Sequence, residues 1–342
     1  MQRIAEEDLK HILTNTLDLW DKLKNKSVFI TGATGFFGKW LLESFMYVND
    51  HLSLNATVTV LSRDPKAFLE AYPFFKHSSI NFIKGDVQSF NFPAEDYHFV
   101  IHAATDADAQ KNIENLLLMI DIITIGTRRV LEFAHKKSVE SFLFISSGAV
   151  YGKQPSTITH IKENESFAID MNKPVAAYAE GKRLAEVYCS IYHSYYQLPV
   201  KIARCFAFVG PYLPLDKHFA IGNFILNALK KDDIVIKGDG TTHRSYLYAS
   251  DLAIWLWTIL LKGKENNPYN VGSDEDLSIR EAAHVIKEIQ PGIDVQILTA
   301  PDSKPVERYV PNIDLAKRTL GLGVKIKLKE AIEKTFSFYE NL

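Results

Sequence analysis

The sequence predicts an α/β fold: a doubly wound parallel sheet with a smaller, discontinuous α/β domain for a substrate. Three observations predict it. Short strand-like runs alternate with helical stretches from Ser27 to about Gly210. The strands are apolar almost throughout rather than at every second position, as strands covered on both faces must be. The first strand runs directly into a glycine-spaced turn that opens a helix, "ITGATGFFGKW".

Taken in order, Glu6 to Lys24 space Leu9, Ile12, Leu13, Thr16, Leu17, Trp20 and Leu23 as a helix does. This predicts an N-terminal helical extension, residues 1–26, that packs and carries no chemistry. "SVFITG" is a β-branched first strand and "GKWLLESFMYV" a helix; "TVTVLSR", "INFIKGDV" and "HFVIHAA" follow as strands. "NLLLMIDIITIGTRRVLEFAHKK" is a long helix, "SFLFISS" a strand, "AYAEGKRLAEVYCSIYHSYY" a helix and "PVKIARCFAFVG" the strand after it. Beyond Gly210 prolines and glycines break the pattern, until "ASDLAIWLWTILL" reads as a helix returning to the first domain. The first domain is therefore 27–209 with about 244–262 rejoining it. Residues 210–243 and 263–342 form the second, substrate-binding domain.

The 342 residues are 46% hydrophobic, enough for a substantial core, and the formal charge of −2 gives no basic field for nucleic acid or anionic membrane. Cys189 and Cys205 are the only cysteines, too few for a disulfide framework or a zinc site. The acidic, polar start "MQRIAEEDLK" is unlike a signal peptide, and the longest apolar runs fall short of the ~20 residues of a membrane span. A cytoplasmic protein without a bound metal is expected.

The glycine turn has a physical reading. Gly32 permits the tight turn, Gly35 lets backbone approach a pyrophosphate, and Gly38 lets helix and strand pack closely. The helix N-terminus offers N–H groups and its positive dipole end to phosphates. This is a Rossmann-type dinucleotide site, with Thr34, Phe36 and Phe37 in the same loop. The second strand ends in Ser62 and Arg63, which suit a 2′-phosphate and so NADP(H); Asp64, just beyond, could instead take ribose hydroxyls and favour NAD. Asp86 and Val87 would lie beside adenine. Ala103, Ala104 and Thr105 would follow the pyrophosphate toward the nicotinamide and substrate.

Tyr178 and Lys182 in "YAEGK" are four apart, on one helix face. A tyrosine titrating near ~10 is a poor base at neutral pH. An ammonium beside it would favour phenolate and so proton exchange. Ser147, at the carboxyl edge of a parallel strand, could bond the same substrate oxygen.

The ordered set "TGATGFFG", "SSGAVYG", "YAEGKRLAE", "GDGTTHRSYLYASDL" and "RYVPNIDLAKRTLG" resembles the extended short-chain dehydrogenase/reductase family, nucleotide-sugar branch, from about Val28 to Lys317. The resemblance implies that Ser147, Tyr178 and Lys182 are the catalytic trio and that a nucleotide-diphosphate sugar is the partner. It implies that Arg244 is a diphosphate ligand, a role a bidentate guanidinium also suits. Asn223 and Arg308 resemble further contacts to diphosphate or nucleoside. Two positions depart from the family: Ala207 and Ile123 stand where relatives usually have Asn, both expected near substrate or nicotinamide.

In the dehydratase branch Asp and Glu follow the catalytic hydroxyl, and in the decarboxylase branch a Glu does. Here Gly148 and Ala149 stand there, and Glu163 and Glu165 come only after a loop, where solvation is expected. Simple hydride chemistry is left: an NADPH-dependent reductase acting at a sugar keto group, C4 first; an NAD-dependent 4-epimerase; or a non-catalytic dinucleotide sensor. Surplus apolar residues on two helices predict a homodimer through a four-helix interface. They are Leu116, Leu117, Met119 and Ile120 in the stretch Ile113 to Phe133, and Tyr188, Ile191, Tyr192 and Tyr195 on the Tyr178 helix.

Overall fold

The computed structural model describes residues 2–105, 115–217, 219–300 and 305–340. Six strands form the frame: β1 (Ser27–Thr31), β2 (Thr57–Ser62), β3 (Ile80–Lys84), β4 (Phe99–His102), β5 (Ser141–Ser147) and β6 (Val200–Cys205). A seventh, Pro268–Val271, lies outside β6, and the all-parallel order runs from it through β6-β5-β4-β1-β2-β3. Strand order reverses between β1 and β4, so a crevice opens beyond their carboxyl ends. Thr31 pairs with His102 there, and Ser147 with Cys205.

Alternate residues of each strand feed two cores, as the period of two requires. Phe29, Val100, Phe142 and Phe144 pack under the helices Leu116–Lys136 and Ala176–Tyr196. Val28, Ile30, Ile101, Leu143 and Ile145 face α1 (Glu6–Thr16), α2 (Phe36–Leu52) and the helix Ala249–Lys262. The last of these is buried from Ala249 through Leu261. Its terminal carbonyls are satisfied by Lys22, Lys201 and Ser141, at 2.7–2.8 Å.

One boundary differs from the sequence reading. The second domain does not claim 263–342 whole, because Pro268–Val271 completes the main sheet. Proline lacks an N–H and disguises this segment, yet it is tolerated at the first residue of an edge strand. The helical segment within residues 1–26 packs against the main fold. α1 ends at Thr16, a short turn of helix follows at Trp20–Leu23, and both are built into the core; the Tyr248 hydroxyl donates to Asp8 at 2.7 Å. No helix among the described residues is long and apolar enough to cross a membrane.

Candidate active site

One cleft of about 2030 Å³ runs along the carboxyl ends of the strands. This is about twice the upper end of the ~300–1,000 Å³ usual for one small ligand. The glycine loop forms one end. Gly32 has φ +75°, and a Cβ there would lie 2.5 Å from the Ala103 carbonyl. A Cβ on Gly38 would lie 2.2 Å from Ala33 Cα, so helix and strand pack as closely as expected. Gly35 begins α2 with no side-chain cap, and Thr34, Gly35, Phe36 and Phe37 line the cleft. Uncapped N–H groups of a long helix facing a cleft fit a pyrophosphate.

Ser62, Arg63, Asp86, Val87, Ala103, Ala104 and Thr105 also line this cleft. Asp64 is engaged: its carboxylate caps the helix Pro65–Ala71, accepting from Ala67 N at 3.0 Å. Asp86 accepts from the Gln88 backbone at 2.9 Å. His102 is buried between Thr31 (2.7 Å) and Thr127 (3.0 Å), and burial lowers its pKa to about 3. It is a neutral strut rather than an acid or base. Thr31 Oγ1 also accepts from the Ala104 N–H at 3.2 Å, fixing the chain where the loop turns.

The two serines ending β5 have different tasks. Ser146 donates to Glu186 at 2.5 Å, and Glu186 also binds Arg204 at 2.7 Å; this ties the strand to the Tyr178 helix. Ser147 lines the cleft together with Tyr178 and accepts from Ala149 N at 3.2 Å. Lys182 donates to Thr105 Oγ1 and to the Ile145 carbonyl, both at 2.8 Å. The trio is thus gathered from two elements. The expected phenolate is not favoured: burial pushes the Tyr178 phenol up, with only Ser147 opposing it. The same burial lowers Lys182 to about 8, and its ammonium is committed to Thr105 and Ile145. Tyr178 is therefore held as an acid.

Asn223, Arg244 and Arg308 line the far end of the cleft. Arg308 is already ion-paired to Asp276 and lies 2.9 Å from His243 Nδ1, while Arg244 donates to the His243 carbonyl at 2.8 Å. Ala207 lines the cleft, but Ile123 does not: it is buried and packs against Gly181 of the neighbouring helix. Its expected position near the nicotinamide is wrong, because the helix turns that face into the core. Glu163 is not solvated either. It is half-buried, accepts from Asn270 N at 3.1 Å, and burial raises its pKa; it lies outside the cleft lining. Glu165 accepts from Lys162 N at 2.7 Å.

Three contributors escaped the sequence reading. Glu186 lies one helical turn beyond Lys182, a spacing that could have flagged it. Phe206 and Tyr309 lie beside Gly148 with their ring centres 4.7 Å apart and the rings tilted by 35°, and a Cβ on Gly148 would lie 2.6 Å from the Tyr309 hydroxyl. Only the adjacency of Tyr309 to Arg308 pointed that way. Of the apolar helix residues, Leu117 (79% exposed) and Tyr195 (81%) face outward, whereas Met119 is buried. Ile113 lies outside the described residues.

Residues 28–272 match the sequence model of the NAD-dependent epimerase/dehydratase family. UDP-glucuronic acid decarboxylase 6 of Arabidopsis thaliana is 29% identical over 314 residues, covering 90% of this chain and 87% of the relative. The UDP-N-acetylglucosamine 4-epimerase of Methanobrevibacter ruminantium M1 superposes with a TM-score of 0.80 at 22% identity, covering 93% of this chain and 99% of that one. An epimerase of Methanothermobacter thermautotrophicus gives a TM-score of 0.79 at 24% identity over 96% of both chains. The two structures share the fold of this chain.

Proposed function

This chain belongs to the NAD-dependent epimerase/dehydratase family, and we propose that within it the chain reduces a keto group, at C4, of a nucleotide-diphosphate-linked deoxysugar with NADPH. The observation that carries the reading is the lack of a carboxylate at the two positions after Ser147; the acids that line the cleft among the described residues, Asp64, Asp86, Asp239 and Glu307, belong to other segments. Gly148 and Ala149 stand beside Ser147, and Glu163 faces away. Elimination or decarboxylation in the manner of the family's other branches has no acid there to perform it.

Bound NADPH would supply the hydride to the carbonyl carbon. Tyr178, kept protonated by burial, gives its proton to the carbonyl oxygen as that oxygen gains charge. Ser147 donates a hydrogen bond to the same oxygen. Lys182, seated on Ile145 and Thr105, would hold the ribose hydroxyls of the bound cofactor. Ser62 and Arg63 would take the 2′-phosphate, and Asp64, which also lines the cleft, spends one carboxylate oxygen on the cap of the next helix. Arg244 and Arg308 receive the diphosphate. The exposed Leu117, Ile125, Val187 and Tyr195 lie on two packed helices and form the contact with a second copy of the chain.

The test is turnover of a nucleotide-linked 4-keto-6-deoxyhexose with each cofactor. NADPH should be preferred, and Arg63→Ala should weaken NADPH by about 10- to 100-fold, the worth of a charge-assisted bond, with NADH little changed. Tightly held NAD and equilibration of 4-epimers would replace this reading with the epimerase. Loss of water from a sugar with an intact C6 hydroxyl, seen by mass spectrometry, would overturn the carboxylate argument itself.

A further inference from the structure

Just past the main sheet, the turn at 210–213 is strained. The Leu213 N–H closes it on the Gly210 carbonyl at 3.2 Å, with Pro211 second and Tyr212, at φ +70°, third. Proline in the second place and a positive φ in the third make a type II turn, whose third place favours glycine or asparagine. A bulky side chain there is an outlier that persists only when its surroundings hold it. Here they do. The Tyr212 hydroxyl shares its one proton between the Gln2 carbonyl, at 2.9 Å, and the Glu43 carboxylate. Glu43, fully buried on α2, also accepts from the Ile4 N–H and from Arg3 Nε, each at 3.2 Å. Phe338 and Tyr72 meet the Tyr212 ring edge to face at 5.0 and 5.9 Å, and the Lys39 ammonium lies 4.8 Å from its centre. The flanking carbonyls are tied as well: Pro211 accepts from Trp40 Nε1 at 2.9 Å and Leu213 from the Tyr339 hydroxyl at 2.5 Å.

The turn leads straight into the cleft wall. Leu213 and Pro214 line the cleft, as do Phe219 and Asn223. The helix Ala220–Leu229, which carries Asn223, starts hard against the turn's exit: a Cβ on Gly222 would lie 3.3 Å from the Pro214 carbonyl and from Leu215 Cα. We propose that Tyr212 is a positioning residue for the substrate end of the cleft: clasped by Gln2 and Glu43, it keeps the turn in its strained form and so sets where the wall at 213–223 stands. The inference rests on the proposed reduction only for the identity of the substrate. Relaxing Tyr212 out of positive φ redirects the chain at the turn's exit, and Pro214 carries the start of the Asn223 helix with it. The ring cannot relax while its hydroxyl is held from α2 and from residues 2–4. Asn223 lies at the end of the cleft where the diphosphate is proposed to sit, away from the reacting carbonyl. Loosening this wall therefore removes binding that ground state and transition state share, which raises KM and spares kcat.

The experiment compares Tyr212→Phe, Glu43→Leu and the double variant with the unmodified full chain. Tyr212→Phe keeps the ring and removes the shared proton; Glu43→Leu removes the acceptor and keeps the volume. In hydrogen–deuterium exchange without any ligand, amides 213–217 should exchange faster by about 3- to 10-fold, the worth of one hydrogen bond, with β1 and β5 unchanged. With a nucleotide-linked 4-keto-6-deoxyhexose, KM for the sugar should rise by about 3- to 10-fold, while kcat and KM for NADPH hold. The two losses should not add in the double variant, because they remove one contact. Unchanged exchange at 213–217, or faster exchange throughout the chain, would overturn the clasp. An unchanged sugar KM, or losses that add, would overturn the positioning role. Tyr212→Phe alone decides both readouts should Glu43→Leu not fold. Failure of the unmodified protein to turn over any keto sugar overturns the proposed reduction instead, while the exchange measurement, which needs no substrate, still decides the clasp.

Discussion

Glu186→Ala measures how the Tyr178 helix is held. The carboxylate accepts from Ser146 Oγ at 2.5 Å and from Arg204 through Nε at 3.1 and 3.2 Å and through a terminal nitrogen at 2.7 Å. The two side chains are only 12% and 14% exposed. Burial works against the Arg204 charge, but the bond and field of Glu186 outweigh it, and the guanidinium pKa is raised. Alanine at 186 would leave that charge with one carbonyl, Glu163 O at 2.9 Å, and the face of Tyr151 at 4.8 Å. Removing one partner of a buried pair costs about 3–5 kcal/mol. Ser146 loses its acceptor as well, for about 1 kcal/mol more. Urea unfolding at pH 7 should therefore show a loss of roughly 4–6 kcal/mol by these two contributions. The double variant Glu186→Leu, Arg204→Met removes both charges and should lose far less than Glu186→Ala alone. A Glu186→Ala loss below about 1 kcal/mol, the scale of an exposed pair, or a double variant as unstable as the single, would refute the idea that this pair anchors the helix.

Tyr178→Phe should lower turnover by about 10²–10⁴, the usual worth of an acid–base group, while NADPH titration by fluorescence stays the same; Lys182→Ala should damage both. Burial brings Lys39, Lys182 and Lys201 each to about 8, from an ordinary 10.5. Between those values the unfolded chain binds more protons than the folded one, so stability rises with pH there, by about 1.4 kcal/mol per pH unit per lysine. Urea midpoints at pH 7.5 and 9.5 check the sign, and a fall would count against it. Leu117→Glu with Tyr195→Glu should halve the molar mass seen by light scattering at micromolar protein; an unmodified protein that is already a monomer would dispose of the helix interface.

What the sequence showed plainly was local. Gly32 and Gly38 sit in one turn, Tyr178 and Lys182 in one helical turn, Ser146 and Ser147 at one strand end. Each pattern is set by neighbours in the chain, and each reads correctly as geometry. What it hid depends on long-range packing. Pro268–Val271 is a short edge strand with a proline, and nothing nearby marks it as the seventh strand. Ile123 was placed by its helix, but which face of that helix is buried is decided by packing against the sheet and the neighbouring helix, and Ile123 falls in that core. The charge states of Tyr178 and Lys182 were also out of reach. Spacing says that they share a face, whereas burial decides that the phenol keeps its proton.

The paired serines show why the distinction matters for mechanism. Successive residues of a strand point to opposite sides, so one strand end can serve two partners at once. Ser146 spends its proton on Glu186, which Arg204 holds from β6, and this sets the height of the helix carrying Tyr178. Ser147 lines the cleft together with Tyr178. The distance between Ser147 and Tyr178 is then tied to the other serine. Proton transfer needs its partners within hydrogen-bond reach, and small displacements carry a large cost in rate. Ser146 contributes nothing to the chemistry directly, yet loosening its bond to Glu186 frees the helix to move Tyr178 away from Ser147. Stability and turnover should therefore fall together when Ser146 or Glu186 is changed, whereas Ser147→Ala should lower turnover with little loss of stability.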